Sequence, residues 1–535
     1  MKRPAILLIL LLSLVLARPA IAEGYVVVAF HDVLDDPAAL GSDDIATPRL
    51  VAFLDWVRGN GWTTISLNDI EAARRHQRPL PPKSILLTFD DGYHSHYSRV
   101  FPLLLAYRMH AIFGLVGAWM APAPGTMVRY GNLDVPRDRF MSWQQAREMA
   151  ASGFAEFASH SYDMHHGVPG NAQGSEFSAA TAWMFNARDE RWESDAAVRA
   201  RVRADLERSR RLIRDQLGVA PRALIWPYGR FAGPARDGAH DAGFSFMFTL
   251  AEEPADTAII DAIPRLFPAQ GPTLAAIVEG LRYANPTPVS RRVACLDPAT
   301  IADQKSLGAA IEAVRQLGVT TVVLGTNADR GALSFIAWQL RSRAGVKLFL
   351  RLDPRTDSDA AMMDAVRSSP IDGVLIEAPG NLADASPTPV GPSSWTVREA
   401  RDAIDLATLD ADGRRAMRLF RAATALRPDL LLALPMASDL VGGWPPQAAD
   451  WLLVAPPAEG LQSLASRLAK RGWLVPEIGQ RLSLPVPAGD ARAAARAIRA
   501  AQVQGATGFG LCPALLPADP ALRAAFSASS FPRLP

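Results

Sequence analysis

The stretch SILLTFDDG at residues 84–92 decides the architecture of the first half of the chain. Its apolar start is typical of a short strand buried on both faces of a parallel sheet. The run then ends abruptly in Asp90, Asp91 and Gly92. Because α/β folds bind ligands at the carboxyl ends of their strands, this end predicts a crevice that contains two carboxylates. The alternative is an ordinary turn, since Asp and Gly both favour turns.

Similar apolar runs recur along residues 24–270 and alternate with amphipathic stretches, which predicts an α/β domain. A long segment without a clear period, Gly167–Glu193, interrupts them, and such a segment is typical of a lid over a cleft. The predicted helices are Thr47–Asn60, Ser142–Ser152 and Asp195–Leu217, the last ending at Gly218. The predicted strands are Tyr25–Phe30, Thr63–Leu67, Ser84–Phe89, Ala111–Val116, Phe154–Ala158, Arg222–Trp226 and Ser245–Leu250.

Residues 268–290 are rich in Pro and Gly, and the alternating pattern restarts after them. We therefore expect a second α/β domain over residues 290–535, with helices such as Ile301–Leu317 and Asp490–Gln504. Eight strand-like runs favour a (β/α)8 barrel over a doubly wound open sheet. These runs are Arg292–Leu296, Thr320–Leu324, Lys347–Leu352, Gly373–Ile376, Leu430–Leu434, Asp450–Val454, Trp473–Pro476 and Gly508–Leu511.

The first 22 residues predict an export signal. Lys2 and Arg3 precede an apolar run, and Ala20-Ile21-Ala22 matches a cleavage site. The run is short for a bilayer crossing, although an uncleaved anchor is the alternative. No Cys follows it, so we expect no lipid attachment, and no other stretch predicts a transmembrane helix in the mature chain. A periplasmic or secreted location follows.

Bulk charge argues against nucleic-acid binding. The chain has 535 residues with 56 Lys+Arg and 54 Asp+Glu, a net charge of +2. A balance this close to neutral lacks the basic excess that nucleic-acid partners require.

All nine histidines lie in the first half of the chain, so a metal held by imidazole would be bound there. His160, His165 and His166 lie just past the predicted strand at 154–158. A cluster of histidines at a strand end favours a metal site, whereas an isolated histidine is more often a structural residue. One carboxylate with two imidazoles leaves coordination positions open, as catalytic metal sites do.

Two further strand ends carry weaker signals. Phe30-His31-Asp32 ends the first strand, and Trp226-Pro227-Tyr228-Gly229 ends a later one. Each is explained equally well by a local hydrogen bond or a turn. Together with the two motifs above, they predict that four strand ends deliver His, Asp-Asp, His-His and an aromatic wall to one face of the sheet.

These motifs resemble the NodB-type polysaccharide deacetylases, through Thr88-Phe89-Asp90-Asp91-Gly92 and the later Ser159-His160-Ser161 with His165. The PgaB-like branch is closer still. It shares the opening Phe30-His31, the five-residue step from His160 to His165, Trp226–Gly229 and Met141-Ser142-Trp143. The resemblance covers about residues 24–270. It implies a distorted, permuted (β/α) deacetylase barrel, and in that branch a C-terminal (β/α)8 domain that resembles glycoside hydrolases.

The resemblance also implies residue roles. Asp91, His160 and His165 bind a divalent metal ion, and Asp90 is the general base. His31 is the expected general acid, with His240 as the late alternative. Tyr93, Trp226, Pro227 and Tyr228 contact substrate, and a backbone N–H near Tyr93 supports the oxyanion. His94, His96 and His166 are expected at the rim. Many relatives hold the base with an Arg where this chain has Ile225, which leaves the support of Asp90 unassigned.

The expected reaction is metal-dependent N-deacetylation of poly-β-1,6-N-acetyl-D-glucosamine in biofilm matrix production. The metal could be zinc, cobalt, nickel or iron, since all suit this ligand set. An outer-membrane export porin is an expected partner from the resemblance alone. The alternatives are a deacetylase of chitin-like or peptidoglycan glycans, and a non-catalytic glycan-binding export factor.

The second domain offers carboxylates and an amide at predicted strand ends, at Asp297, Asn327, Asp353, Glu377 and Glu477. They are either site residues or helix caps. After Asp372–Leu375 this chain reads Ile376-Glu377-Ala378-Pro379, where the related branch has an acidic pair, so we expect a glycan-binding or scaffold role rather than hydrolysis. Trp395 and Trp444 are candidates for stacking on sugars, and the alternative is that they only hold their loops in place. The sequence favours buried free thiols at Cys295 and Cys512 over a disulfide.

Overall fold

The computed structural model describes residues 24–251, 254–269, 271–281, 291–377, 406–408, 411–436, 449–454, 482–485, 490–503, 508–512 and 520–526. The predicted export signal, Glu477, Trp395, Trp444 and the predicted strand at 473–476 lie outside these residues. Both halves are α/β, as predicted. Among the described helices, none combines the length and the apolar character that a bilayer crossing needs.

The first half is built on one curved, mostly parallel sheet of eight strands. Its order is β7-β6-β5-β4-β3-β1-β8, and β2 pairs with β3; only β8 runs antiparallel to its neighbour. The strands are β1 (Gly24–Phe30), β2 (Thr63–Thr64), β3 (Ser84–Phe89), β4 (Ala111–Leu115), β5 (Ala155–Ser159), β6 (Ala223–Ile225), β7 (Phe246–Phe248) and β8 (Ala255–Asp256).

The three predicted helices of this half lie within one residue of their predicted bounds. Ser142 caps α5 with a capping box to Gln145, and α6 stops at Gly218, whose φ of 78° suits glycine. The helices are α1 (Thr47–Gly59), α2 (Leu67–Arg74), α3 (Phe101–Tyr107), α4 (Gly117–Met120), α5 (Trp143–Ala151), α6 (Asp195–Leu217), α7 (Gly233–Asp241) and α8 (Leu274–Gly280).

The segment at residues 263–266 joins two separate strands of this sheet. Ile263 exchanges backbone hydrogen bonds with β7, donating to Met247 and accepting from Thr249. Three residues later, Leu266 does the same with β1, donating to Val27 and accepting from Ala29. The segment therefore connects β7 with β1 across the curved sheet, and it carries Arg265 between these contacts.

In the second half, eight parallel strands form a closed barrel. Seven match the predicted runs to within two residues at each end. The strand between β14 and β16 is Leu482–Pro485, so assigning the seventh barrel strand to residues 473–476 is wrong; both runs are short and apolar, and no period distinguishes them. The strands are β9 (Arg291–Leu296), β10 (Thr321–Leu324), β11 (Lys347–Leu352), β12 (Gly373–Ile376), β13 (Leu431–Met436), β14 (Trp451–Val454), β15 (Leu482–Pro485) and β16 (Gly508–Leu511).

Helices follow β9, β10, β11, β12, β15 and β16, while the connections after β13 and β14 fall mostly outside the described residues. The helices of this half are α9 (Gln304–Gln316), α10 (Arg330–Ala344), α11 (Asp359–Ser368), α12 (Ala411–Leu426), α13 (Ala491–Val503) and α14 (Pro520–Phe526).

Cys295 and Cys512 form a disulfide, so the expectation of free thiols is wrong. Closing the barrel makes β9 and β16 neighbours, with Val293 opposite Gly510. This pairing brings the two Cα atoms to 4.9 Å, within the range that a disulfide spans. The bond therefore ties the first barrel strand to the residue after the last one.

Replacing Cys512 by Ala should lower the free energy of unfolding of the barrel by about 2–4 kcal/mol, because the bond restricts the unfolded chain. Denaturant unfolding followed by tryptophan fluorescence measures this, since Trp451 lies buried inside the barrel. Wild type under reducing conditions is the matched control and should lose a similar amount. Equal stability of all three samples would contradict a structural role for the bond.

Candidate active site

The end of β3 places both carboxylates at the carboxyl edge of the sheet. Asp91 and Gly92 adopt left-handed backbone angles, with φ of 80° and 75°. Such an angle is uncommon for Asp, and it turns the chain sharply after Phe89. Consequently Asp90 and Asp91 are both buried in the same crevice, instead of pointing to opposite faces as neighbours on a strand do.

The same crevice brings together Asp91, His160 and His165, the predicted ligand set. Their ligand atoms all lie within 4.8 Å of one another. The Nε2 atoms of both histidines lie 3.5 Å from Asp91 Oδ1. His160 follows β5 and is buried, while His165 is half-buried on the loop beyond it. A catalytic metal site has this composition and this partial opening.

Two details fit a cation at this position. Asp91 Oδ1 is buried and has no hydrogen-bond partner among the described residues, which is costly unless something else satisfies it. His160 Nδ1 donates to the carbonyl oxygen of Ile225 at 2.8 Å, so its Nε2 keeps a free lone pair toward Asp91. Burial raises the pKa of Asp91, but electrostatic interaction with His165, His31 and His160 holds it below its usual range.

A carboxylate on α6 holds the loop between the two histidines. Asp205 accepts the backbone N–H groups of Tyr162 and Asp163, each at 2.8 Å. Burial raises the pKa of Asp205 to about 6 in spite of these bonds. Ser161, at φ 70°, completes the turn, and Ser159 Oγ accepts its N–H. The five-residue step from His160 to His165 is thus fixed from outside the loop.

Asp90 forms a buried, two-pronged ion pair with Arg265. The guanidinium donates to both carboxylate oxygens at 2.8 and 2.9 Å, and Arg265 is fully buried. Burial raises the pKa of Asp90, but the charge of Arg265, followed by those of His160 and His31, brings it well below its usual range. Asp90 is therefore ionised and held in a fixed orientation, as a general base requires.

Arg265 supplies the support for Asp90 that the sequence left unassigned. Ile225 occupies the position of the usual Arg, and the buried carbonyl of that same residue instead orients His160. The positive charge beside Asp90 is that of Arg265, which lies on the bridging segment at 263–266 and reaches Asp90 from a different part of the fold. Arg265 also donates to Thr88 Oγ1 on β3 and to the carbonyl of Thr249, just after β7, so it links these two strands to the crevice.

His31 lies beside the base, whereas the alternative acid does not contact the site. His31 Nε2 is 3.9 Å from Asp90 Oδ2, and its ring packs against Phe267. His31 Nδ1 is buried without a hydrogen-bond partner in the described part of the chain. His240 is exposed on α7. The geometry thus favours His31 for proton transfer at this crevice.

The predicted substrate contacts divide into one exposed residue at the rim of the crevice and three buried residues. Tyr228 is 47% exposed, and its ring centroid lies 4.7 Å from that of His165. Tyr93 is buried and its hydroxyl bonds that of Tyr130 at 2.7 Å. Trp226 is fully buried and stacks on Phe231, so its ring cannot reach a sugar face. Pro227 is buried beside it, which leaves Tyr228 as the exposed aromatic of this motif.

The histidines assigned to the rim occupy different environments. His94 is exposed and His166 is half-buried, but His96 is fully buried, so its rim assignment is wrong. The π-helical turn at 96–100 directs His96 inward between Phe89 and Phe113. Its Nε2 donates to the carbonyl of His31 at 3.0 Å, which anchors the proposed acid.

Replacing His96 by Gln should weaken the pH dependence of stability. Burial lowers the pKa of His96 to about 4 from 6.5. The unfolded chain therefore binds this proton more tightly, so stability is complete above pH 6.5 and falls as the pH drops toward 4. For this group the loss between pH 7 and pH 5 is about 2 kcal/mol. Denaturant unfolding of wild type and His96→Gln at pH 7 and pH 5 measures this loss of stability. Identical losses in the two proteins would contradict the lowered pKa of His96.

In the second half, each predicted strand-end carboxylate among the described residues has a local partner. Asp297 accepts from Asn327 at 2.6 Å, Glu377 pairs with Arg351, and Asp353 pairs with Arg355. Asp297 also caps the turn that follows β9. These pairings match the capping and rim interpretation. They lie at the carboxyl ends of the barrel strands.

Sequence reasoning missed Arg265 and Asp205. Arg265 is a single cation in the apolar stretch Ile263–Phe267, and that interruption is the only local signal of its burial. Asp205 lies three residues after Val202 and four before Ser209, both on the buried face of α6. An acidic residue at that spacing is a usable signal for a buried carboxylate.

The chain is similar in sequence to known deacetylases. Residues 77–247 match the family model described as polysaccharide deacetylase. The poly-β-1,6-N-acetyl-D-glucosamine N-deacetylase of Escherichia coli (strain K12) is 31% identical over 364 residues, which cover 63% of this chain and 54% of that protein. The chain thus spans about half the length of this curated relative. A protein of the same name from Staphylococcus epidermidis is 23% identical over 243 residues, covering 44% of this chain and 73% of that protein.

Among solved structures, the BpsB deacetylase domain from Bordetella bronchiseptica is 39% identical with a TM-score of 0.42. It aligns with 46% of this chain and 95% of its own.

Proposed function

We propose that this chain, whose residues 77–247 belong to the polysaccharide deacetylase family, removes N-acetyl groups from exported poly-β-1,6-N-acetyl-D-glucosamine in a metal-dependent reaction. One observation carries the proposal. The group Asp91, His160 and His165 lies beside a buried carboxylate, Asp90, that Arg265 keeps ionised. A binding protein has no need for a base held next to a cation site, whereas amide hydrolysis needs both.

In this proposal, each residue of the crevice has a separate role in the reaction. Asp91, His160 and His165 would hold a divalent cation, which would supply Lewis-acid chemistry toward the acetyl carbonyl and would lower the pKa of water. Asp90 accepts the proton of the attacking water, because its low pKa keeps it ionised and its pair with Arg265 fixes its orientation. A backbone N–H near Tyr93 supports the developing oxyanion.

His31 completes the reaction on the other side of Asp90. It donates a proton to the departing amine from Nε2, 3.9 Å from the base. The bond from His96 to its carbonyl fixes the backbone that carries it. Tyr228 contacts the sugar from the rim, since it is the exposed aromatic of its motif.

The remaining chain serves export and binding in this proposal. Residues 1–22 are a cleaved signal, so the enzyme acts in the periplasm or outside the cell during biofilm matrix production, with an outer-membrane export porin as a partner. Residues 24–270 are the deacetylase domain and residues 290–535 are a glycoside-hydrolase-like (β/α)8 domain. We infer that this second domain binds glycan or acts as a scaffold and does not hydrolyse glycan, because the strand-end carboxylates that the structure describes are engaged by Asn327, Arg351 and Arg355.

Amine release from defined oligomers tests the proposal. The mature, zinc- or cobalt-loaded protein is incubated with β-1,6-linked N-acetylglucosamine oligomers, chitin oligomers and peptidoglycan fragments. We expect release from the β-1,6-linked oligomers, loss after chelation, and recovery on adding metal back.

Two other outcomes have definite meanings. Release from chitin or peptidoglycan instead keeps the chemistry and replaces the substrate. If the metal-loaded protein releases amine from none of these glycans, the enzyme proposal is wrong and a glycan-binding export factor remains.

A further inference from the structure

The two histidines of the crevice are held in place by different means. His160 directly follows β5, and its Nδ1 donates to the carbonyl of Ile225 at 2.8 Å. A histidine that binds a metal usually donates its second ring N–H in this way, which fixes the direction of the ring. No such bond to the ring of His165 is present among the described residues, where this ring packs against Trp119 and Tyr228. The position of His165 therefore depends on the loop that carries it.

The loop from Ser161 to Met164, here named the histidine loop, joins His160 to His165. Its four backbone N–H groups all donate to side chains. Ser159 Oγ accepts that of Ser161 at 3.1 Å, and Ser161 Oγ accepts that of Met164 at 3.0 Å. The two carboxylate oxygens of Asp205 accept the N–H groups of the two residues between them, each at 2.8 Å. One carboxylate on α6 therefore supplies half of the acceptors that hold this loop.

The short helix α4 holds the opposite side of the histidine loop. The N–H of Gly117 donates to the carbonyl of Ser161 at 3.0 Å, and that of Ala118 donates to the carbonyl of Tyr162 at 2.7 Å. A Cβ atom on residue 117 would lie 2.5 Å from Cδ2 of the Tyr162 ring and 3.1 Å from its Cα, so the loop packs directly on the backbone of α4. The loop is thus clamped, with donors from α4 on one side and acceptors from Asp205 on the other.

The helix α6 keeps Asp205 at a fixed position by contacts that do not involve its carboxylate. Val202 and Leu206 are buried on the face of α6 that packs on the sheet. Ser209 shares a hydrogen bond of 2.8 Å with Ser159 through their hydroxyl groups. Arg208 lies over the ring of Tyr162, with 3.6 Å between the guanidinium carbon and the ring centroid. Replacing the carboxylate should therefore change the loop and leave the helix in place.

We propose that Asp205 is a positioning residue of the metal centre, which holds His165 beside His160 and Asp91 before a cation binds. This inference rests on the proposed metal-dependent function and extends it to a residue outside the group of ligands. Asp205 acts through the backbone of the histidine loop, because both of its oxygens are engaged there.

Loss of this carboxylate should appear in the affinity for the metal. Without it, the N–H groups of Tyr162 and Asp163 lose two charge-assisted hydrogen bonds. His165 must then be ordered at the moment the cation binds, and this ordering reduces the free energy of binding. Groups that orient metal ligands typically contribute about 10–100-fold to metal affinity, and we expect an effect of this size.

Titration of the metal-free mature protein with Co²⁺ tests the inference. Wild type is compared with Asp205→Ala, with Asp205→Asn and with Asp215→Ala, a matched control that removes an exposed carboxylate from the same helix. We expect the Kd for Co²⁺ to rise about 10–100-fold in Asp205→Ala. Asp205→Asn should lose less affinity, because its amide oxygen still accepts one of the two N–H groups. Asp215→Ala should bind Co²⁺ as wild type does.

A double-mutant cycle with His165→Ala separates positioning from a general effect on the fold. If Asp205 acts through His165, then Asp205→Ala should change the Kd by less than about twofold once His165 has been removed. The same large loss of affinity in both backgrounds would overturn the positioning role and show that Asp205 only supports the fold. A Kd for Asp205→Ala equal to that of wild type would also overturn it.

Two further controls keep the result interpretable. Unfolding midpoints of the metal-free proteins show whether Asp205→Ala is folded during the titration; if it is not, Asp205→Asn takes its place, and an unchanged Kd in that variant overturns the inference. Co²⁺ binding needs no turnover, so weaker binding in the variant together with the expected cycle supports the positioning role even if no amine is released from a glycan. If wild type binds no Co²⁺, the inference and the proposed metal centre fail together.

Discussion

Replacing Asp90 by Asn is expected to lower kcat for amine release by about 10²–10⁴-fold, the usual contribution of a general base. The amide cannot accept the proton, and its own N–H groups face one of the two guanidinium nitrogens of Arg265 from which Asp90 now accepts hydrogen bonds. The ligands Asp91, His160 and His165 are unchanged, so the metal should remain. Steady-state kinetics and metal content are measured on the same preparation.

Asp163→Asn is the matched control, since Asp163 is an exposed carboxylate on the loop between the two histidines. It should keep kcat near that of wild type. If Asp90→Asn retains full kcat, Asp90 is not the base. If it loses its metal in proportion to its activity, its role is in binding the cation.

Replacing Arg265 by Met should have the largest effect on stability, about 3–5 kcal/mol at neutral pH. Removing one partner of a buried ion pair leaves the other charge uncompensated, and Asp90 is 2% exposed. The same change should raise the pKa of Asp90, because burial then acts without the opposing charge. The acid limb of the pH–kcat profile should move to higher pH.

The stability lost in Arg265→Met should depend on pH. In wild type the folded pKa of Asp90 lies below its unfolded value, so the pair stabilises the fold above the unfolded pKa and this is lost as pH falls. The difference in stability between wild type and Arg265→Met should therefore shrink on acidification. Denaturant unfolding at several pH values measures it, with Arg265→Lys as the variant that keeps a charge. A difference that is constant with pH would contradict the pairing.

The parts of the fold that sequence predicts best are those with strong local patterns. β3, β11, β12 and β16 lie where their apolar runs are, because each is buried on both sides and bounded by turn residues. The sequence predicted the Asp90-Asp91 pair and the His160–His165 spacing for a related reason. Each sits directly after such a strand, where a parallel sheet gathers its ligands.

The features that the sequence could not predict are contacts between residues far apart in the chain. Arg265 reaches Asp90 across 175 residues, from a segment with no period of its own, and the disulfide joins residues 217 apart. Neither pairing leaves a local trace, because each exists only once a barrel has brought its edges together. His96 was misplaced for a related reason, since only the π-helical turn directs it inward.

Amine release measured against metal loading tests the central claim most directly. The protein is stripped, reloaded with zinc or cobalt in steps, and assayed on β-1,6-linked oligomers while bound metal is counted; His165→Gln is treated in parallel. We predict that release rises in proportion to bound metal and saturates at one equivalent per chain, and that His165→Gln neither binds tightly nor turns over. Full release from the stripped protein, or tight loading of His165→Gln with normal turnover, would contradict the account.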